Sequence, residues 1–157
     1  MKKILLFVAV IMFFAACATK QERAERDAKL QETVAEAIAQ RQWHIDITLM
    51  NTLRYGSRVV TPDFFLELRG DTLCSYLPYL GDVYMPNIGA RTQGLNFTAP
   101  VLNYRESRPK QHLYRIEIAT KTDEDTYSYV VEITDKGRAD IRVRSEHRDF
   151  ISFEGRM

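Results

Sequence analysis

The sequence contains little cysteine and no apolar run long enough to cross a bilayer. Two of its 157 residues are cysteines, Cys17 and Cys74. The chain is therefore not one of the small secreted domains that several disulfides hold together, and its stability must come from a hydrophobic core. The apolar run from Ile4 to Ala16 has thirteen residues, whereas a transmembrane helix needs about 20.

The sequence also has no excess of charge of either sign and no known catalytic motif. The 22 Lys and Arg residues nearly balance the 21 Asp and Glu residues, so nothing favours nucleic acid as a partner. No Gly-x-Ser-x-Gly elbow, glycine-rich phosphate loop or His-Glu-x-x-His sequence occurs, and we predict no catalytic residue, no metal and no cofactor. A hydrophobic content of 45% in 157 residues is typical of one globular domain.

The N-terminus carries the most specific pattern. Lys2 and Lys3 precede the apolar run, whose length fits the core of a secretory signal peptide. The string Phe14-Ala15-Ala16-Cys17 resembles a bacterial lipobox, in which the cysteine is acylated and becomes the mature N-terminus. We therefore predict a signal peptide over 1–16 and lipidation at Cys17. The alternative is an ordinary signal peptide cleaved near Ala16.

The lipobox also predicts where the protein lies in the cell and how its chain is divided. Acyl chains on one cysteine suffice for stable membrane anchoring, and Ala18 lacks the charge of the Asp that retains lipoproteins at the inner membrane. We expect an outer-membrane protein, with the periplasmic side and the cell surface both open. Residues 17–24 form a lipidated tether, and 25–157 form one β-rich domain.

The stretch from Glu22 to Gln42 predicts a helix. It has no Pro or Gly, and Leu30, Val34 and Ile38 recur at helical spacing. This apolar stripe needs a partner, and we expect it to pack on a sheet.

From Trp43 onward apolar residues alternate with polar ones, which predicts half-buried antiparallel strands. The fold class is α+β and mainly β: an N-terminal amphipathic helix on a curved antiparallel sheet, forming a sandwich or a partly closed barrel of about 7–9 strands. A two-residue turn at Gly70-Asp71 sets one hairpin, and Cys74 is expected to be a small buried hydrophobe. The predicted pairs are Leu68 with Leu73, Leu66 with Ser75 and Phe64 with Leu77 on the apolar face, and Arg69 with Thr72, Glu67 with Cys74 and Phe65 with Tyr76 on the other.

The segment 77–89 differs from the strands because two Pro and two Gly interrupt a run rich in aromatic and aliphatic residues. Tyr76, Tyr79, Tyr84 and Met85 are candidates for an amphipathic platform that binds a glycan, a peptide or another envelope protein. The alternative is a lid that plugs the end of the sheet. We expect Tyr79 to be structural and Tyr84 to be the more exposed of the two.

Two short patterns, His44-x-Asp46 and His147-x-Asp149, place a His and an Asp on one face of a strand, where they can hold a metal or form a base and its orienting group. The acidic turn 123–125 offers oxygens of the kind that Ca²⁺ binds. Solvent-facing residues and a solvated turn explain these patterns more simply.

Several strings along the chain resemble the domain-of-unknown-function family numbered 4251, small exported lipoproteins of Bacteroidetes. The resemblance covers about residues 40–157, and its most distinctive element is Leu77-Pro78-Tyr79-Leu80-Gly81. The other strings are Gly70-Asp71-Thr72, Gly94-Leu95-Asn96-Phe97, and Ile151-Ser152-Phe153-Glu154-Gly155. The resemblance implies an envelope lipoprotein and implies no activity.

Two functions remain from the sequence. The first is a non-catalytic lipoprotein that binds a ligand or a partner or supports an envelope assembly. The second is a small envelope hydrolase whose polar residues are scattered along the chain. The hydrolase requires His44, His112, His147 and nearby carboxylates to converge within hydrogen-bond reach in one cleft.

Overall fold

The computed structural model describes the backbone of residues 2–84 and 94–157 and the side chains of residues 20–84 and 94–157. The described chain forms one helix followed by nine strands. They are α1 (Lys2–Ala39), β1 (Gln42–Thr52), β2 (Gly56–Val59), β3 (Phe65–Arg69), β4 (Thr72–Leu77), β5 (Leu95–Lys110), β6 (Leu113–Lys121), β7 (Thr126–Thr134), β8 (Arg138–Ser145) and β9 (Ile151–Arg156).

The strands form one antiparallel sheet in the order β2-β1-β3-β4-β5-β6-β7-β8-β9, and a further pairing of β1 with β9 closes it. Asp46 in the middle of β1 shows the closure, because it pairs with Phe65 on one edge and with Arg156 on the other. Eight strands therefore make a barrel, and β2 extends the edge of β1 that β3 occupies. The mainly β prediction is confirmed, and the barrel is the form it takes.

The barrel interior is filled with side chains, as the small diameter of an eight-stranded barrel requires. Alternate residues of β7 are buried, and they are Tyr127, Tyr129, Val131 and Ile133. A short chain of hydrogen bonds crosses this interior: the Tyr129 hydroxyl donates to Ser75 Oγ (3.1 Å), and Ser75 Oγ donates to the Leu95 carbonyl (2.7 Å). Burial raises the pKa of Tyr129. Because side chains fill the interior, a ligand that enters the barrel can bind only at one of its ends.

The β3-β4 hairpin confirms five of the six predicted pairs, from Phe65 with Tyr76 to Arg69 with Thr72. The sixth, Phe64 with Leu77, lies beyond the start of β3, because the Phe64 carbonyl accepts a hydrogen bond from Ile47 N instead (2.9 Å). Gly70 has a φ of +62°, which a type II′ turn requires at its first central residue.

Cys74 pairs with Glu67 on the outer face of this hairpin, as predicted, but it is only half-buried, so the expectation of a buried side chain is wrong. Strand alternation explains the difference, since Leu73 and Ser75 point inward and Cys74 must point outward. The Thr98 hydroxyl donates to its sulfur at 3.7 Å.

Helix α1 joins the hydrophobic core of the barrel through residues near its C-terminal end. Val34 and Ile38 are each 1% exposed and join the core, but Leu30 is 38% exposed, so the expected three-residue stripe is wrong at Leu30. The helix also ends earlier than predicted, at Ala39, because Arg41 adopts a left-handed φ of 52° and turns the chain into β1. Toward the N-terminus the helical backbone extends through residues 17–24, the predicted tether, as far as Lys2.

The barrel has two distinct ends. The helix end carries α1, the β3-β4, β5-β6 and β7-β8 turns and the C-terminus; Lys136 of the β7-β8 turn pairs there with Asp27 of α1 at 2.7 Å. The loop end carries the β1-β2 turn, the β4-β5 and β8-β9 loops and the β6-β7 turn. Within the described residues, no helix combines the length and the apolarity needed to cross a membrane.

Candidate functional site

At the loop end, the segment after β4 is pinned to the β8-β9 loop. Asp149 N donates to the Asp82 carbonyl (3.1 Å), and Asp82 N donates back to the Asp149 carboxylate (3.2 Å). Tyr84 N donates to the His147 carbonyl at 2.7 Å. These bonds hold residues 78–84 over the end of the barrel as a short antiparallel clasp.

Tyr79 is the structural anchor of this clasp. Its ring packs partly buried against the core, and the Arg148 guanidinium lies 5.3 Å from the ring centroid. Its hydroxyl donates to the Asp82 carbonyl at 2.7 Å. Burial raises the pKa of Tyr79 to about 12, and the ring acts as a plug for the loop end.

Tyr84 is 61% exposed, which confirms that it is the more exposed of the two tyrosines. Its hydroxyl nevertheless donates to the Asp149 carboxylate, and this hydrogen bond is the main cause that lowers the pKa of Asp149. Arg54 adds a cation, 2.6 Å from the Asp82 carboxylate. The Tyr84 ring is available to a partner while its hydroxyl serves the clasp.

The remaining predicted site residues lie elsewhere. Tyr76 points outward from β4, where its ring stacks on Phe64 (centroids 5.5 Å apart) and lies tilted against Phe65 (5.8 Å). Tyr76 therefore belongs to the outer wall, whereas Tyr79 and Tyr84 share the clasp. Met85 lies outside the described residues. The backbone of Cys17 belongs to α1, and its side chain lies outside the described ones.

A cavity of about 310 Å³ opens at the loop end beside the clasp. Phe97 shares the inward face of β5 with Leu95 and Ala99, and its ring stacks on Tyr127 of β7, with centroids 4.7 Å apart. This aromatic pair separates the cavity from the packed interior, so the cavity is the mouth of the barrel. Its lining residues are Gly94, Asn96, Phe97, Thr122, Asp123, Glu124 and Tyr127.

The mouth is polar on its other walls. Asn96 Oδ1 is buried, and within the described part of the chain it has no hydrogen-bond partner. Behind the wall lies the Arg148 side chain, 8% exposed, 3.6 Å from the Glu124 carboxylate. Sequence reasoning missed this site because its lining residues come from two separate segments, 94–97 and 122–127. The family-like string that contains Asn96 and Phe97 was the available signal.

The three imidazoles do not share a site. His44 contacts Asp46, as the His44-x-Asp46 pattern suggested. His147 does not contact Asp149 in the same way and instead lies against Asp125 in the β6-β7 turn. Each imidazole lies against a different carboxylate: His44 against Asp46 (3.2 Å), His112 against Asp135 (2.7 Å), and His147 against Asp125 (3.2 Å).

The acidic turn is not uniformly solvated, which corrects the simpler interpretation. Asp123 is exposed, but Asp125 is only 5% exposed. The reason is local: Asp125 Oδ1 accepts hydrogen bonds from Thr126 N (2.8 Å) and Glu146 N (3.2 Å), joining the β6-β7 turn to the β8-β9 loop.

Comparison with known proteins identifies relatives of this chain. The family described as "Domain of unknown function (DUF4251)" matches residues 25–157. No curated protein matches the sequence. The structure is similar to the crystal structure of a DUF4251 family protein from Bacteroides eggerthii, with a TM-score of 0.66 and 12% identity over 84% of this chain and 89% of that one. At this identity the likeness concerns the fold.

Proposed function

The chain belongs to the DUF4251 family, and on that premise we propose that it is a bacterial envelope lipoprotein, anchored through acylated Cys17, that binds a ligand at the mouth of its barrel. The proposal is for binding without catalysis, because each of the three imidazoles lies against a different carboxylate. The membrane is its partner through the lipid, and the outer membrane is its location.

The position of α1 supports the anchoring. The apolar run and Cys17 precede the part of the helix that docks on the barrel at Val34. Seventeen residues of helix separate Cys17 from Val34, a rise of about 25 Å. Because α1 meets the barrel at the helix end, an acylated Cys17 leaves the loop end facing away from the membrane, accessible to ligands of the envelope.

The buried Asn96 Oδ1 is the observation that carries the binding proposal. A buried acceptor without a hydrogen-bond partner destabilises the folded protein unless a ligand or water supplies a donor. The carboxylates of Asp123 and Glu124 line the same mouth, and the Phe97 ring offers an apolar wall. Acceptors beside an aromatic ring suit a ligand with many hydroxyl donors and an apolar face, and we propose a glycan.

Replacement of the anchoring cysteine tests the first part. Cys17→Ala is expected to move the protein from the membrane fraction to the soluble envelope fraction, because acylation supplies the membrane affinity. Fractionation of cells and immunoblotting measure this shift. Cys74→Ala is the matched control and is expected to stay with the membrane. A Cys17→Ala protein that still sediments with salt-washed membranes refutes the anchor.

A glycan array tests the second part, with the full-length protein solubilised in detergent. Asn96→Ala is expected to weaken binding to the recognised glycans by about 5- to 10-fold, the value of one hydrogen bond. Asn103→Ala, at an exposed position of the same strand, is the control and should bind as the native protein does. Equal binding by both variants contradicts the mouth as the site, and binding to no glycan contradicts the ligand class.

A further inference from the structure

Asp125, Glu146 and His147 converge at the loop end, outside the lining of the mouth. One ligand atom from each side chain lies within 4.8 Å of the other two. The sequence hides this group, because twenty residues separate the β6-β7 turn from the β8-β9 loop. The hydrogen bond from Glu146 N to Asp125 Oδ1 holds the two loops together, and the clasp fixes the β8-β9 loop from the side of residues 78–84.

The state of the Asp125 carboxylate points to a ligand. Its side chain is 2% exposed. One carboxylate oxygen, Oδ1, accepts three hydrogen bonds, from Thr126 N, Glu146 N and His147 Nδ1. Oδ2 is buried and has no hydrogen-bond partner among the described residues. An ionised oxygen in that position is costly unless a cation lies against it. The other oxygen of the same carboxylate, Oδ1, lies 3.2 Å from His147 Nδ1, so the unpartnered oxygen belongs to the group that Asp125 forms with Glu146 and His147.

We propose that Asp125, Glu146 and His147 form a binding site for a divalent transition-metal ion of the Zn²⁺ type. Imidazole nitrogen and carboxylate oxygen are both ligand types that Zn²⁺ takes, at distances of about 2.0–2.2 Å, and three protein ligands leave its fourth position to water. Ca²⁺ and Mg²⁺ prefer all-oxygen sites, so the imidazole selects against them.

The geometry needs only a small contraction to hold the ion. Ligand atoms around tetrahedral Zn²⁺ lie roughly 3.3 Å apart, and Glu146 is exposed, so its side chain can rotate inward while the buried Asp125 stays in place. Arg148, the nearest cation along the chain, is held by Glu124 and by the ring of Tyr79. The ion would join the β6-β7 turn to the β8-β9 loop and stabilise the rim of the barrel.

Zinc titration of the detergent-solubilised full-length protein against a chromophoric chelator tests this site. The native protein is expected to bind one Zn²⁺, and His147→Ala and Glu146→Gln are each expected to lose at least 10-fold in affinity, because each removes a ligand. Glu146→Gln is the decisive variant, since an exposed side chain can change without unfolding the domain. Zn²⁺ should also raise the melting temperature of the native protein and not that of Glu146→Gln.

Two substitutions away from the site are matched controls: His112→Ala in the β5-β6 turn and Glu32→Gln on α1, both exposed. They are expected to bind Zn²⁺ as the native protein does. The proposal is wrong if the native protein binds no Zn²⁺, if both site variants keep the native affinity, or if the controls lose as much as the site variants. Displacement of Zn²⁺ by an equal concentration of Ca²⁺ would refute the metal class.

Discussion

Gly155→Ala is expected to lower the free energy of unfolding by about 3 kcal/mol, the upper end of the usual cost of overpacking. Gly155 is buried in β9, at the seam where β9 pairs with β1. A Cβ there would lie 2.3 Å from the Asp46 carbonyl oxygen and 2.8 Å from Ile45 Cγ2. The nearest atom belongs to backbone, so the strands themselves must separate to admit a methyl group.

Thermal and urea denaturation measure this cost, and a loss of about 3 kcal/mol corresponds to about 6–12 °C in melting temperature for a chain of this size. Ser152→Thr is the control, because it adds a methyl group at a partly exposed position of the same strand and should change stability by less than about 0.5 kcal/mol. A Gly155→Ala protein as stable as this control would refute the tight seam between β1 and β9.

Tyr79→Ala is expected to cost about 3 kcal/mol, the lower end of the range for removing a large aromatic from a core. The ring is partly buried and packs against the core, and the nearly buried Arg148 side chain loses the ring beside it. Tyr79→Phe removes only the hydroxyl that donates to the Asp82 carbonyl, so we expect about 1 kcal/mol from that variant.

Tyr84→Ala is the comparison that separates a plug from a platform. The Tyr84 ring is 61% exposed, so its loss should cost less than about 1 kcal/mol, chiefly through the hydrogen bond to Asp149. Melting curves of Tyr79→Ala and Tyr84→Ala, measured side by side, check both expectations. Large and equal losses would contradict the different roles given to the two rings.

The β3-β4 hairpin shows which parts of the fold are predictable from local pattern. Turn chemistry at Gly70 and the alternation of two short strands leave one register that places apolar residues on a common face, and the observed pairs follow it. The antiparallel strands after Trp43 were predictable for the same reason, because each residue's face depends on its immediate neighbours.

The wrong expectations concern residues whose surroundings come from distant parts of the chain. Leu30 continues the apolar stripe of α1, yet it is 38% exposed, because the core contacts of the helix come from Val34 and Ile38. Asp125 belongs to an acidic turn by sequence, but the β8-β9 loop covers it and supplies a hydrogen bond from Glu146 N. The exposure of Leu30 and the burial of Asp125 cannot be predicted from three or four neighbouring residues in the sequence.

The sequence by itself determined the elements of this protein: one helix, the hairpin register and the mainly β class. Only the tertiary structure decided that the sheet closes between β1 and β9. In the closed barrel the segment after β4 meets the β8-β9 loop in the clasp. The mouth and the group around His147 also join residues of separate loops, and no local sequence pattern indicates those contacts. Local periodicity sets which face a side chain takes, whereas barrel closure sets which distant side chains meet.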